Sequence, residues 1–211
     1  MPRLNNLCYE PRKKIVFNSI DCYEDSPIYD HTSELFEEIK SKLPDYISPT
    51  GIYSITDIPQ NNYFILPKCY TKVCLCYVSI GHKIIDVINN YFNEAEYLEG
   101  MLLDSISDDI LFQYSNKMRD HIEKLSSKNN YGLSKRISPG DNNYPMEYTK
   151  FIVDELVRLE NPSEHISYTD SYMIKPVKSL AFMYGLGLNL KSEKDHDCKS
   201  CTNITCKFRE V

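Results

Sequence analysis

Residues 134 to 145 read Ser134-Lys135-Arg136-Ile137-Ser138-Pro139-Gly140-Asp141-Asn142-Asn143-Tyr144-Pro145. Ser138 to Asp141 predicts a type II β-turn: proline presets φ at the second position, and glycine accepts the positive φ that the third requires. Pro145 suits the first turn of a helix, where its missing N–H costs nothing. Arg136 stands just before the turn, so a guanidinium is placed beside a rigid stretch of bare backbone. That combination can hold a carboxylate while backbone N–H and C=O groups read a polar ligand. The same residues also fit a tight loop with a surface arginine.

Upstream, Val73 to Ile80 (V-C-L-C-Y-V-S-I) is almost wholly apolar and rich in β-formers, as a central buried strand should be. Cys74 and Cys76 alternate onto one face of it and read as small buried hydrophobes. Gly81 breaks the strand. Ile84, Ile85, Ile88, Tyr91 and Phe92 then mark an amphipathic helix. A longer helix is expected from about Ala95 to Leu125, with Leu98, Met101, Leu102, Ile106, Ile110, Leu111, Tyr114, Met118, Ile122 and Leu125 as its stripe. Further back, Ser33 to Leu43 has helical spacing, with His31 or Thr32 as cap and Pro44 and Pro49 as terminators. Gly51 to Ile58 and Tyr63 to Leu66 read as extended, Ile15 to Ile20 as a strand or docked segment, and residues 1 to 14 as an irregular arm. Downstream, Met146 to Leu159 predicts a helix with Phe151, Ile152, Leu156 and Leu159 inward. His165 to Thr169, Ser171 to Ile174 and Val177 to Leu188 read as extended. These elements divide into a segment 1–70 packed on the main domain, a core 71–190 and a tail 191–211.

At 211 residues the chain is long enough to bury a core without staples. The 24 Lys+Arg against 30 Asp+Glu leave a net charge of −6. With no basic run, nucleic acid and acidic membrane surfaces are unfavoured partners. The first residues hold no apolar signal core and no later run is long enough to span a bilayer, so a soluble cytoplasmic protein is expected. In that compartment the eight cysteines are core residues or metal ligands before they are disulfides.

Three blocks occur in a fixed order: R-I-S-P-G before a proline-started helix, then S-Y-M-I-K-P-V-K-S-L-A-F-M-Y-G, then C-x2-C-x4-C-x-F-R. Together they resemble the activation domain of cobalamin-dependent methionine synthase, and more closely its stand-alone bacterial relatives. Those relatives carry a similar R-x-S-P-G block, P-x-K-S strand and cysteine tail. The resemblance covers about Val73 to Arg209 and is strongest after Arg136. It implies an α+β fold with a central antiparallel sheet flanked by helices, and S-adenosylmethionine binding without a Rossmann site. Gly185-Leu186-Gly187 agrees with that last point, because no third glycine or acidic partner completes a dinucleotide fingerprint. By the resemblance, Arg136 holds the methionyl carboxylate, Ser138 and Gly140 offer backbone groups, and Tyr184 with Gly185 lies beside the ligand. Where the methionine synthase block continues with tyrosine, Asp141 stands here, to meet the sulfonium or simply to turn the chain. Asp104, Asp108 and Asp109 all compete for the acidic position that the family places on its long helix.

The tail reads His196-x-Cys198-x2-Cys201-x4-Cys206. Thiolates at this spacing can wrap one zinc ion or an iron–sulfur cluster. His196 would complete a zinc site, or the fourth position would stay open on an iron–sulfur cluster; Cys69, Cys74 or Cys76 folding back is a further source of the fourth ligand. No D-x-H-x-x-G corrinoid-ligating sequence is present, so cobalamin must come on another protein. The functional expectation is an accessory protein of methionine biosynthesis. It would bind S-adenosylmethionine and support reductive methylation of a corrinoid on a separate cobalamin-binding methyltransferase, with a flavodoxin-like or iron–sulfur electron donor. The alternatives are a metal or iron–sulfur protein and a ligand-free binding module on the same fold. No catalytic acid or base is assigned, since the cofactors carry the chemistry.

Overall fold

The computed structural model describes residues 3–4, 9–59, 66–141, 144–162 and 165–195. A five-stranded sheet forms its centre, in the order β1 (Arg3–Leu4), β2 (Thr50–Asp57), β3 (Lys72–Ser79), β7 (Ser179–Leu188) and β4 (Tyr131–Leu133). Every pairing in it is antiparallel. The first 70 residues therefore contribute two strands to the same sheet as the later ones.

Both expected inner strands lie inside the sheet, and β3 shows why it reads as an unbroken apolar run. One face carries Val73, Leu75 and Tyr77 into a core with Ile152 and Leu156 of α5 (Tyr148–Glu160). The other carries Cys74, Cys76 and Val78 under α4 (Tyr97–Ser127). A strand covered on both faces has no polar side to show, even in an antiparallel sheet. The two thiols are free, fully buried and 3.8 Å apart, which is the packing role their alternation predicts.

The α4 face is the thicker layer. α1 (Lys13–Ser19), α2 (Tyr29–Tyr46) and α3 (Lys83–Asn93) join α4 there. Residues 15 to 20, expected as strand or docked segment, are mostly helical. Ile15, Val16 and Phe17 are consecutive, which hides the helical period, and all three are buried. So short a helix is marginal alone and is held by packing. α2 begins at Tyr29, before the expected caps; Thr32 Oγ1 instead donates to the Ile28 carbonyl (2.8 Å). It also runs past Pro44. Within the α4 stripe Met101 is a correction: it is largely exposed. α5 starts at Tyr148, three residues after Pro145, and Leu159 on it points outward. β5 (Ser167–Tyr168) and β6 (Ile174–Lys175) form a separate hairpin beside β7.

Among the described residues no helix is long and apolar enough to cross a membrane. Residues 63–65 of the expected Tyr63-to-Leu66 piece, together with His196, Cys198, Cys201 and Cys206, lie outside the described residues.

Candidate functional site

Arg136 reaches its position through a defect in the β4 edge. Leu133 pairs with Leu186, and Ile137 forms a bridge with Met183. Between these pairs lie three residues on one side and two on β7, so one residue is extra. Such a bulge shifts the alternation of side chains and re-aims those beyond it. Leu133 and Leu186 pack on the α4 face, whereas Ile137 and Met183 pack on the α5 face. Arg136, one residue before Ile137, is thereby turned to the α4 side. Its guanidinium lies 4.7 Å from the Phe182 ring centroid and donates to Ser115 Oγ and Asn116 Oδ1 of α4, both at 3.0 Å.

The expected turn follows at once. Gly140 has φ of 89°, and the Asp141 N–H donates to the Ser138 carbonyl (3.1 Å). Those are the features of type II geometry, and a side chain at residue 140 would be strained. The turn ends the pairing along β7, so among the described residues the stretch Ser179 to Phe182 has an open edge. Since Met183 and Gly185 bond toward the β4 side, ladder alternation directs the N–H and C=O of Ala181 to that edge. A cleft of about 210 Å³ runs along it. Arg136, Ser138 and Pro139 form one wall, Phe112 of α4 another, and Tyr172 to Ile174 of the hairpin a third.

The Arg136 guanidinium already holds a carboxylate. Asp195 Oδ1 accepts from the Arg136 backbone N–H (2.7 Å), and its Oδ2 accepts from Nε (3.1 Å) and Nη2 (2.7 Å). The Tyr184 hydroxyl donates to the same Oδ2 (3.1 Å), and Arg119 Nη1 is 3.7 Å from Oδ1. Burial works against the Arg136 charge, and Tyr184 and Asp195 more than offset it, so the group titrates above the usual arginine range. Burial pushes the Tyr184 phenol well up, which keeps it a donor.

The residues expected at a ligand thus separate. Arg136 and Ser138 line the cleft. Tyr184 is fully buried and reaches Arg136 through Asp195. Gly140 donates its N–H to the Tyr144 carbonyl (2.7 Å). Gly185 spends both backbone groups on Ser134: it donates to Oγ (2.9 Å) and accepts from the N–H (2.9 Å). Asp104 and Asp108 both hold Lys178 (2.8 and 2.6 Å), and Asp109 holds Arg12 (2.6 Å), so none of the three lines the cleft. Asp141 is exposed on the turn. Sequence reasoning missed Asp195, Arg119 and Phe182. The K-S-L-A-F strand carried a signal for Phe182, since its alternation puts Phe182 and Tyr184 on one face. Among the described residues no cluster of His, Cys, Asp or Glu could hold a metal ion.

No family model and no curated protein sequence matches the chain. Among solved structures it is similar to a crystal structure of the MetH reactivation domain bound to AdoHcy, with a TM-score of 0.64 at 12% identity. The match covers 90% of this chain and 79% of that one. The chain has the MetH reactivation-domain fold. The Arg136 cleft therefore lies on a scaffold whose solved example carries AdoHcy.

Proposed function

We propose that the chain binds S-adenosylmethionine in the Arg136 cleft and supports reductive methylation of a corrinoid held by a separate methyltransferase. One observation carries the reading: a half-buried guanidinium, aimed by a bulge, forms the wall of a cleft along an open strand edge. That arrangement occurs on a fold solved elsewhere with AdoHcy. Arg136 would take the amino-acid carboxylate by a charge-assisted bidentate bond. Ser138, Pro139 and the Ala181 backbone would position the rest of the ligand. Among the described residues no carboxylate lines the cleft, so the sulfonium would meet Phe112, Phe182 and Tyr172. With both bound side by side, S-adenosylmethionine would supply its methyl group to a corrinoid reduced by the external electron donor and leave as the thioether AdoHcy. This chain's share is geometry and exclusion of water.

In this reading the protein is an accessory component acting in the cytoplasm, with a flavodoxin-like or iron–sulfur electron donor. Cys198, Cys201 and Cys206 are assigned a separate part as thiolate ligands of zinc or an iron–sulfur cluster, on their spacing alone.

Titration calorimetry with S-adenosylmethionine and with AdoHcy tests the first step. Saturable heat from either ligand is expected. Silence from both at millimolar ligand would leave the fold without this function and favour a ligand-free binding module. The second step is tested by adding the protein to an inactivated cobalamin methyltransferase with reductant and S-adenosylmethionine, where recovery of methyl transfer is expected.

A further inference from the structure

Small-molecule pockets are usually about 300–1,000 Å³. The Arg136 cleft, at about 210 Å³, is smaller, and its guanidinium is already in use. Asp195 is bonded as an external carboxylate would be, through Nε and Nη2 of one arginine with a tyrosine hydroxyl behind. A second cavity of about 360 Å³ is lined by Asn116, Arg119, Asp120, Glu123 and Ser192 to Asp195. Arg136 lines the first space and Asp195 the second, so their ion pair forms part of the partition between them.

Asp195 arrives on a strap, residues 189 to 195, that leaves the end of β7 and doubles back along β4. The Asn189 N–H donates to the Asn130 carbonyl (2.7 Å) and the Glu193 N–H to the Leu133 carbonyl (2.8 Å). The Leu133 N–H donates to Ser192 Oγ (3.2 Å), Tyr70 donates to Glu193 Oε1 (2.7 Å), and Arg119 Nη2 donates to the Glu193 carbonyl. Gly132 allows this course, because a Cβ there would run into the Leu190 carbonyl. Lys191, Glu193 and Lys194 are exposed, and the strap is held mainly by these polar bonds. A segment with little buried apolar surface opens at lower free-energy cost than the packed core.

Building on the reading of the Arg136 cleft above, we propose that Asp195 is an internal competitor for the ligand carboxylate. The strap holds the site closed, and an amino-acid-type ligand enters by displacing Asp195 from Arg136, joining the two cavities. Apparent affinity is then the intrinsic affinity reduced by the fraction of open protein. Removing the competing carboxylate removes that reduction.

The experiment measures AdoHcy affinity by calorimetry for wild type, Asp195→Ala and the near-isosteric Asp195→Asn, with folding of each checked by circular dichroism. Hydrogen exchange of the 189–195 backbone is followed in wild type with and without AdoHcy. The proposal expects the variants to bind roughly tenfold tighter or better. It also expects ligand to speed exchange in the strap while residues 136–140 become protected. Equal or weaker binding by a folded variant, or a strap that AdoHcy protects, overturns the competitor role and makes Asp195 a structural anchor; the cleft reading survives. Binding by the variants alone supports both. No binding by any of the three proteins removes the cleft reading, and the competitor role with it.

Discussion

Two arginine–carboxylate pairs in this protein share one bonding pattern and differ in nearly everything else. Arg12 gives its backbone N–H, Nε and Nη2 to Asp109 at 2.8, 2.9 and 2.6 Å. Arg136 gives the same three donors to Asp195 at 2.7, 3.1 and 2.7 Å. In the first pair the carboxylate belongs to the interior of the long helix α4 and its side chain is 0% exposed. Gln113, one turn on, donates to it as well (2.8 Å). The pair fastens the segment before α1 to the helix layer. In the second pair the carboxylate is itself mostly covered, at 9% exposed, but it is carried by a strap whose neighbouring residues are exposed, and the arginine stands at a cleft. Whether such a contact is a staple or a switch depends on which partner can leave, and where an uncompensated charge would then be stranded.

The comparison breaks most visibly at Arg12. Arg12→Ala strands the buried Asp109 charge with Gln113 as its remaining donor outside the backbone. A loss of about 3 kcal/mol is expected, roughly 6–12 °C in melting temperature for a chain this size. AdoHcy affinity per folded molecule should hardly change. A melting curve like wild type would show that Asp109 is tolerated without its partner and that the staple is no staple.

Arg136→Ala should have the opposite profile. Losing a charge-assisted bond to the ligand carboxylate costs about 1.5–3 kcal/mol, or roughly ten- to a hundredfold in affinity. The fall in melting temperature should be smaller than for Arg12→Ala, because Asp195 can follow its strap toward water. Calorimetry and thermal melts on the same preparation test both halves. A variant that unfolds outright would make Arg136 a structural residue and the Ser138 turn an ordinary loop.

Gly132→Ala sharpens the distinction without substituting a member of either pair. Its Cβ would push the strap off β4 at the Leu190 carbonyl. A modest stability loss of about 1–3 kcal/mol is expected, together with tighter AdoHcy binding as Asp195 is drawn from Arg136. Weaker binding would mean that the strap helps to build the site.

The smallest effect on either pair should come from the tail. Cys201→Ser is expected to lose near-stoichiometric zinc or iron from anaerobically prepared, tag-free protein. AdoHcy affinity and melting temperature should stay close to wild type. Wild-type protein free of both metals would sink the ligand assignment of Cys198, Cys201 and Cys206.

Where the decisive physics is local, the sequence determined the structure. Pro139-Gly140 specifies its turn because φ is restricted at one residue and a positive φ is available at the next. Val73 to Ile80 specifies a central strand because a short run rich in β-formers, seven apolar residues in eight and closed by Gly81, suits a strand buried on both faces. The ordered blocks from Arg136 onward pointed to the fold that the solved reactivation domain shares. What only the tertiary structure decided depends on residues far apart in the chain. The extra residue between Leu133 and Ile137 has no composition of its own; it exists only relative to β7, and it is what turns Arg136 to the α4 side. Asp109 and Asp104 look alike on α4, and their partners, Arg12 and Lys178, are chosen by packing. Asp195, 59 residues from Arg136, sits in a charged stretch with no periodicity to mark it. A carboxylate's role is set by the cation it meets, and that meeting is made by the path of the whole chain.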